Sequence, residues 1–253
     1  MILANYRYKL IIAYEGTHYS GWQVQPNAIT IQELIQNALL KILKKPTHVT
    51  ASGRTDAGVH ARAQVAHFDT TTPLDTFTTL RGLNGLLPHD IRILSIEPVA
   101  DNFHSRFDAQ GKTYHYNLSF GPAPDPFMRH FSVHLYQPCE LQTLKYAASH
   151  FVGTHDFSSF ANSATKGAAA KNPIRTICAL DLIETAYGLR IEVSGNGFSY
   201  KMVRNIVGAL IAVNLQKINA DDIPKILEAK DRRQAPVAAP ARGLFLHEVI
   251  YNS

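Results

Sequence analysis

The run Ala51-Ser52-Gly53-Arg54-Thr55-Asp56-Ala57-Gly58-Val59-His60-Ala61 constrains this chain more than any other stretch. Gly53 and Gly58 permit backbone angles that other residues avoid, so the polar run between them can turn tightly. β-prone residues flank it, Thr47-His48-Val49-Thr50 before and Val65-Ala66-His67-Phe68 after. The expected product is a rigid turn between two strands that presents the Asp56 carboxylate at a fixed spot, where it can act as nucleophile or base. The residue types also allow a plainer outcome. An Asp beside Thr and Gly commonly closes an Asx-turn or caps a helix, and an Arg two residues away is commonly its solvated partner.

The rest of the chain reads as mixed strands and helices. Tyr6 to Tyr14 is expected to be a strand, alternating first and then buried. A glycine-punctuated loop from Glu15 to Gln23 carries the chain's only tryptophan, Trp22, and reads as a turn with an anchoring aromatic. Thr30-Ile31-Gln32-Glu33 has the form of a capping box opening a helix, whose apolar stripe is Ile31, Leu34, Ile35, Ala38, Leu39, Ile42 and Leu43. Lys41, Lys44 and Lys45 gather at its C-terminal end and suit the helix dipole. A second helix is expected from Pro73 to Leu86 and a strand over Ile91 to Ile96. Asp101 to Ala109 has no periodicity, and the boundary between two halves, 1–104 and 105–253, is placed there.

In the second half, Lys112 to Leu118 alternates as a strand with Tyr114, Tyr116 and Leu118 on one face. Leu141 to Phe151 reads as a helix, Ile174 to Glu184 and Gly188 to Val193 as a strand pair, and Phe198 to Gln216 as a long helix. Arg204 falls among the buried positions of that helix, where a charge calls for a partner. Ala220 to Lys230 is a short helix and Gly243 to Tyr251 a closing strand. The loop from Ala161 to Pro173, with Lys166, Gly167 and Lys171, is rich in small residues and is expected to be mobile. Regular crossovers between strands are missing, so an α+β plan is favoured over a doubly wound one.

Composition bounds the function. The 253 residues suffice for one large domain or two small ones, and no apolar run is long enough to span a bilayer. The start, Met1-Ile2-Leu3-Ala4-Asn5-Tyr6-Arg7, lacks a signal-peptide layout, which points to the cytoplasm. Cys139 and Cys178 are far apart and read as free thiols. The formal net charge of +5, carried mainly by the second half, fits a polyanionic partner without demanding one. His130 and His134 have the spacing of a helical zinc pair, but no Glu adjoins them and Phe131, Val133 and Leu135 alternate as in a strand, so no metal is expected. Gly195-Asn196-Gly197 lacks the third glycine of a dinucleotide fingerprint.

Gly53-Arg54-Thr55-Asp56-Ala57-Gly58-Val59-His60 resembles the signature of the tRNA pseudouridine synthase A family. The resemblance extends over almost the whole chain. A Tyr-x-Gly-x-x-Tyr-x-Gly-Trp-Gln pattern occupies Tyr14 to Gln23. Phe103-His104-Ser105-Arg106-Phe107, His155-Asp156-Phe157-Ser158-Ser159-Phe160 and Met202-Val203-Arg204-Asn205-Ile206-Val207-Gly208 match further motifs. The resemblance implies the pseudouridine synthase fold, two α+β halves with adjoining antiparallel sheets and an active-site cleft between them. It implies isomerisation of uridine to pseudouridine in the anticodon arm of tRNA, without a cofactor, by a homodimer.

By the same resemblance Asp56 is the catalytic nucleophile, Tyr114 lies against the target uracil, and Arg204 pairs with the catalytic carboxylate. Arg54 is assigned to the RNA, holding a phosphate or filling the gap left by the extruded base. An aspartate with an ordinary pKa of roughly 3.9 is ionised at neutral pH; burial under a nucleotide would oppose that and a guanidinium would restore it. Attack at C1′, addition to C6 and assisted loss of the C2′ proton all centre on Asp56. Two rivals stand beside this expectation, a non-catalytic tRNA-binding protein or chaperone on the same scaffold and a histidine-based metal hydrolase.

Overall fold

The computed structural model describes residues 6–162 and 172–252. The segment with Lys166, Gly167 and Lys171, expected to be mobile, lies outside the described residues. The chain divides into two compact units, Met1–Gln110 with Phe245–Ser253, and Gly111–Leu244. Relative to the expected halves, residues 105–110 and the last strand belong with the first unit. The last strand's return follows from long-range strand pairing, which local pattern does not encode.

The first unit is a sheet with helices. Its strands are β1 (Tyr6–Tyr14), the two-residue β2 (Thr50–Ala51), β3 (His60–Thr70), β4 (Ile91–Val99) and β10 (Leu244–Tyr251), the last counted from Phe245 here. β1 pairs antiparallel with both β3 and β4, and β2 pairs antiparallel with β3. β10 joins β3 in parallel, Phe245 opposite His60 and Leu246 opposite Ala61. Alternation in β1 buries Tyr8, Leu10, Ile12 and Tyr14 on one face. Two helices accompany this sheet, α1 (Ile31–Leu43) and α2 (Thr76–Leu86). α1 buries Ile31, Ile35, Ala38 and Leu39, the core of the predicted stripe. α2 begins later than Pro73, because the Asp75 carboxylate accepts the Thr78 N–H and caps it.

The capping box does not form. Thr30 is the N-cap residue, but its side chain makes no cap hydrogen bond and its buried Oγ1 has no partner among the described residues. Instead the Ile31 and Gln32 N–H groups donate to the carbonyls of Gly21 and Trp22. The loop before the helix therefore supplies the acceptors that a side chain would otherwise provide.

At the other end of β3, His67 is buried and its ring takes a buried environment together with Arg7, His104 and His48. Burial is the largest influence and the neighbouring Arg7 and His104 act in the same direction, against Asp69, so the imidazole pKa is lowered to about 4. The unfolded chain, with a histidine pKa of roughly 6.5, takes up a proton that the folded chain refuses. Stability contributed by neutral His67 is thus fully present above about pH 6.5 and is lost as pH falls towards 4. His67→Asn is expected to flatten the fall in urea midpoint between those pH values relative to the parent chain. Parallel pH profiles would contradict this.

The second unit holds β5 (Ala109–Phe120, from Gly111), β6 (Val133–Leu135), β7 (Gly153–Asp156), β8 (Ile174–Thr185) and β9 (Gly188–Gly195). β5–β9, β9–β8 and β8–β7 are antiparallel, whereas β6 runs parallel to β5. The expectation of antiparallel sheets thus needs amending at β3–β10 and β5–β6. Among the described residues three α-helices accompany them, α3 (Leu141–Ser149), α4 (Met202–Asn214) and α5 (Asp222–Ala229). α4 is buried nearly all round, more than the apolar side read from its sequence, and so forms the centre of this unit. A strap over residues 235–240 crosses it so closely that a Cβ on Gly208 would stand 2.1 Å from the Val237 carbonyl oxygen. Only a bare helix surface admits that crossing.

Candidate active site

The signature run is held by the Tyr14–Gln23 stretch, residue against residue. The Tyr14 hydroxyl shares a hydrogen bond of 2.8 Å with Thr55 Oγ1. Burial pushes the Tyr14 phenol up to about 12, so at neutral pH it keeps its proton and the bond is neutral. The Gly16 N–H donates to His60 Nδ1 at 3.0 Å, and the place of a Cβ on Gly16 is already taken by the Val59 carbonyl. The Tyr19 carbonyl accepts the Gly58 N–H, and its hydroxyl donates to Asp90 Oδ1 at 2.5 Å. Gly21, at φ +86°, lies against the Thr55 carbonyl and the backbone of Asp56 and Ala57. The Trp22 N–H donates to the Thr55 carbonyl at 3.1 Å. Gln23 Oε1 accepts from Arg54 Nε at 3.1 Å.

Every defined position of that pattern therefore touches residues 54–60. Its consequence falls on Asp56. Its neighbour Thr55 is pinned at both side chain and carbonyl, and its own carbonyl accepts the Val59 N–H at 3.1 Å. The carbonyls of Thr55 and Asp56 are both engaged, while the Asp56 side chain is half-buried. The backbone that carries this carboxylate is therefore held in place, as covalent or general-base chemistry requires of its support.

Two buried glutamines extend the frame; the sequence reading placed Gln32 only within a capping box and did not single out Gln64. Gln64, on β3, accepts from Ser52 Oγ at 2.8 Å and donates to the Gly53 carbonyl at 3.0 Å, fixing the entrance to the turn. Gln32, on α1, accepts from Gln23 Nε2 and the Val24 N–H and donates to the Val49 carbonyl. Through Gln23 this chain reaches Arg54, an exposed residue whose guanidinium is held by its Nε edge. A planar fork so oriented can donate to an oxyanion.

In the second unit, Tyr114 lies on β5 opposite Val193 of β9 and is buried. The Phe198 ring meets it edge to face, with centroids 5.1 Å apart. Phe198 is a residue that sequence reasoning left inside the long helix; the helix starts at Met202, so Phe198 belongs to the preceding turn and is available as Tyr114's support. Tyr116, on the same face, is fully buried and donates to the Pro240 carbonyl at 2.8 Å. Arg204 is half-buried on the first turn of α4. Its Nε donates to the Ala239 carbonyl at 2.8 Å while the Ala239 N–H donates to the Arg204 carbonyl, also at 2.8 Å. The strap thereby fixes the plane of the guanidinium.

Among the described residues, no group of three or more His, Cys, Asp or Glu side chains is placed to hold a metal ion, and no helix is long and apolar enough to cross a membrane. His134 engages both ring nitrogens, Nδ1 with Ser119 Oγ and Nε2 with the Gly121 carbonyl.

Comparison with known proteins points in one direction. A family model described as tRNA pseudouridine synthase matches residues 10–108 and 147–252. The chain is 53% identical over 247 residues to tRNA pseudouridine synthase A 1 of Protochlamydia amoebophila, covering 97% of this chain and 96% of that protein. It is 48% identical to tRNA pseudouridine synthase A of Chlamydia muridarum, covering 96% and 91%. With the protein of that name from Limosilactobacillus reuteri it shares 42% identity over 98% of each chain.

Proposed function

The chain belongs to the tRNA pseudouridine synthase family, and on that premise we propose that it isomerises uridine to pseudouridine in tRNA with Asp56 as the catalytic group. The observation that carries the assignment to Asp56 is the clamp by which Tyr14, Gly16, Tyr19, Gly21, Trp22 and Gln23 immobilise the turn bearing it.

The reaction breaks the bond between N1 of uracil and C1′ of ribose and makes one between C5 and C1′. A proton leaves C5 and another is taken up at N1, so the product is an isomer and no group donor is consumed. The barrier lies in breaking the glycosidic bond while the base stays captive. Asp56 serves by attacking C1′, by adding to C6, or by assisting loss of the C2′ proton; each route needs the same held carboxylate. Tyr114, whose ring meets that of Phe198, is assigned to stack on the extruded uracil. Arg54 is assigned to a phosphate or to the gap that the base leaves.

Arg204 is assigned the charge that keeps the carboxylate ionised beneath a bound nucleotide. Its bond to Ala239 supports this by orienting the fork. Arg204→Ala is expected to lower kcat/KM by at least ~10²-fold, the scale for losing one oriented donor in a closed site. Arg204→Lys is expected to recover only part, since an ammonium keeps the charge without the fork. Full activity in Arg204→Ala would refute the assignment.

The resemblance in sequence further supports the anticodon arm as the place of modification, a homodimer as the working form and the cytoplasm as its location. The test is incubation of the purified chain with unmodified tRNA transcripts and mapping of the product. Pseudouridine in the anticodon arm, formed without any added cofactor, is the expected result. Binding of tRNA without pseudouridine formation would favour the non-catalytic tRNA-binding protein instead.

A further inference from the structure

The Phe103–Phe107 motif takes no part in the chemistry above, yet its structure is costly in detail. His104 Nδ1 accepts the N–H groups of Arg106 and Phe107, at 3.1 and 3.3 Å. Asp108 Oδ2 accepts the His104 N–H at 2.7 Å, and the Asp108 N–H closes back onto the His104 carbonyl. Ser105 is fully buried; its hydroxyl donates to the Thr50 carbonyl and its N–H to His67 Nδ1. Tyr251 donates to the Ser105 carbonyl at 2.5 Å. So many fixed bonds make a rigid loop.

What this loop presents is an aromatic ring beside a cation. Phe107 is 74% exposed, one of the most exposed large apolar side chains among the described residues. Its ring lies 4.2 Å from the His104 ring, centroid to centroid, and the exposed Arg106 guanidinium stands 5.9 Å from its centroid. Beside it opens a shallow pocket of about 350 Å³ lined by Phe103, Phe107, Asp108, Gln110, Tyr251 and Asn252. Aromatic walls with an amide and carboxylate rim fit a planar base, whose edge carries both donors and acceptors. They do not fit a phosphate, which Asp108 would repel. Arg106, outside the pocket, supplies the charge that a phosphate wants.

We infer that this loop is a second nucleotide-binding site, at which an unpaired tRNA base other than the target uridine stacks on Phe107 while Arg106 holds a neighbouring phosphate; this rests on the tRNA reading of the active site. The anchor residue His67 lies about 23 Å along β3 from His60, at roughly 3.3 Å per residue, so one nucleotide does not reach both the loop and the Asp56 turn. A mobile aromatic would lose much of its stacking energy to ordering, and the bonds to His104, Ser105 and Asp108 remove that cost beforehand.

The experiment compares Phe107→Ala, Phe107→Trp and Arg106→Gln with the parent chain in tRNA binding, in turnover and in sedimentation. Phe107→Ala is expected to raise the tRNA dissociation constant and KM about tenfold, with kcat at saturating tRNA and the oligomeric state unchanged. Phe107→Trp is expected to restore binding, and Arg106→Gln to lower the slope of log affinity against log salt by about one. Unchanged tRNA affinity in Phe107→Ala would overturn the inference. So would a shift to a smaller sedimenting species, which would make the loop a contact between copies of this chain. Failure of the parent chain to form pseudouridine would strike the active-site reading alone, since the binding comparison does not depend on turnover.

Discussion

Gly16→Val is expected to lower Tm by about 6–12 °C and to take most of the activity with it. A Cβ at this buried position would stand 2.0 Å from the Val59 carbonyl oxygen and 2.6 Å from its carbon. Both are backbone atoms inside the signature run, so no side chain can swing aside. Overpacking of this kind costs roughly 3 kcal/mol, and a chain of this size loses about 2–4 °C per kcal/mol. Separation of the two loops would also lengthen the bond from the Gly16 N–H to His60 Nδ1. The catalytic effect follows from geometry. If Asp56 is held in place by this contact, a displacement near 1 Å is enough to lose roughly 10²-fold in rate. Thermal melting and turnover read the two effects separately. A variant with the parent Tm and turnover would show that the Tyr14–Gln23 stretch does not position the turn.

That stretch also marks where reading the sequence stops. The helix from Ile31 and the strand carrying Tyr114 follow from apolar period, which acts over a few residues; of the two glycines expected to shape the turn around Asp56, Gly58 takes a positive φ of 77° and Gly53 does not. The clamp does not follow from such local signals. Tyr14 meets Thr55, 41 positions away, and Gly21 meets Asp56 across a similar stretch, and nothing local in either segment announces its partner. Thr30 illustrates the cost. Its spacing to Glu33 has the form of a capping box, yet carbonyls of Gly21 and Trp22 already satisfy the first turn, leaving the side chain nothing to do. Gln32 and Gln64 look like ordinary polar residues in a helix and a strand; only tertiary contact makes them the buried hubs of the turn. The strap that fixes Arg204 is invisible for the same reason, although Gly208, a poor helix former in the middle of α4, is the trace that a close crossing leaves in sequence. Family resemblance, rather than period or spacing, assigned roles to Tyr114 and Arg204.

Asp56→Asn carries the largest expected effect on function. The amide matches the carboxylate in shape, and the backbone bonds and the Thr55 side chain that hold the turn are untouched by the exchange. On the proposed function, what disappears is the negative charge assigned to attack, addition or assistance. Loss of a catalytic side chain typically lowers turnover by at least ~10⁴-fold. The tRNA should still bind, because shape and phosphate contacts do not require this carboxylate. That separation distinguishes an enzyme from a tRNA-binding protein on the same scaffold.

The most direct measurement is single-turnover pseudouridine formation by Asp56→Asn, with enzyme in excess over a uridine-labelled tRNA and binding measured in parallel. Retained tRNA binding with no detectable pseudouridine is the predicted result. Pseudouridine formed at the parent rate would contradict the central claim, that a carboxylate clamped on the turn at residue 56 carries out the isomerisation.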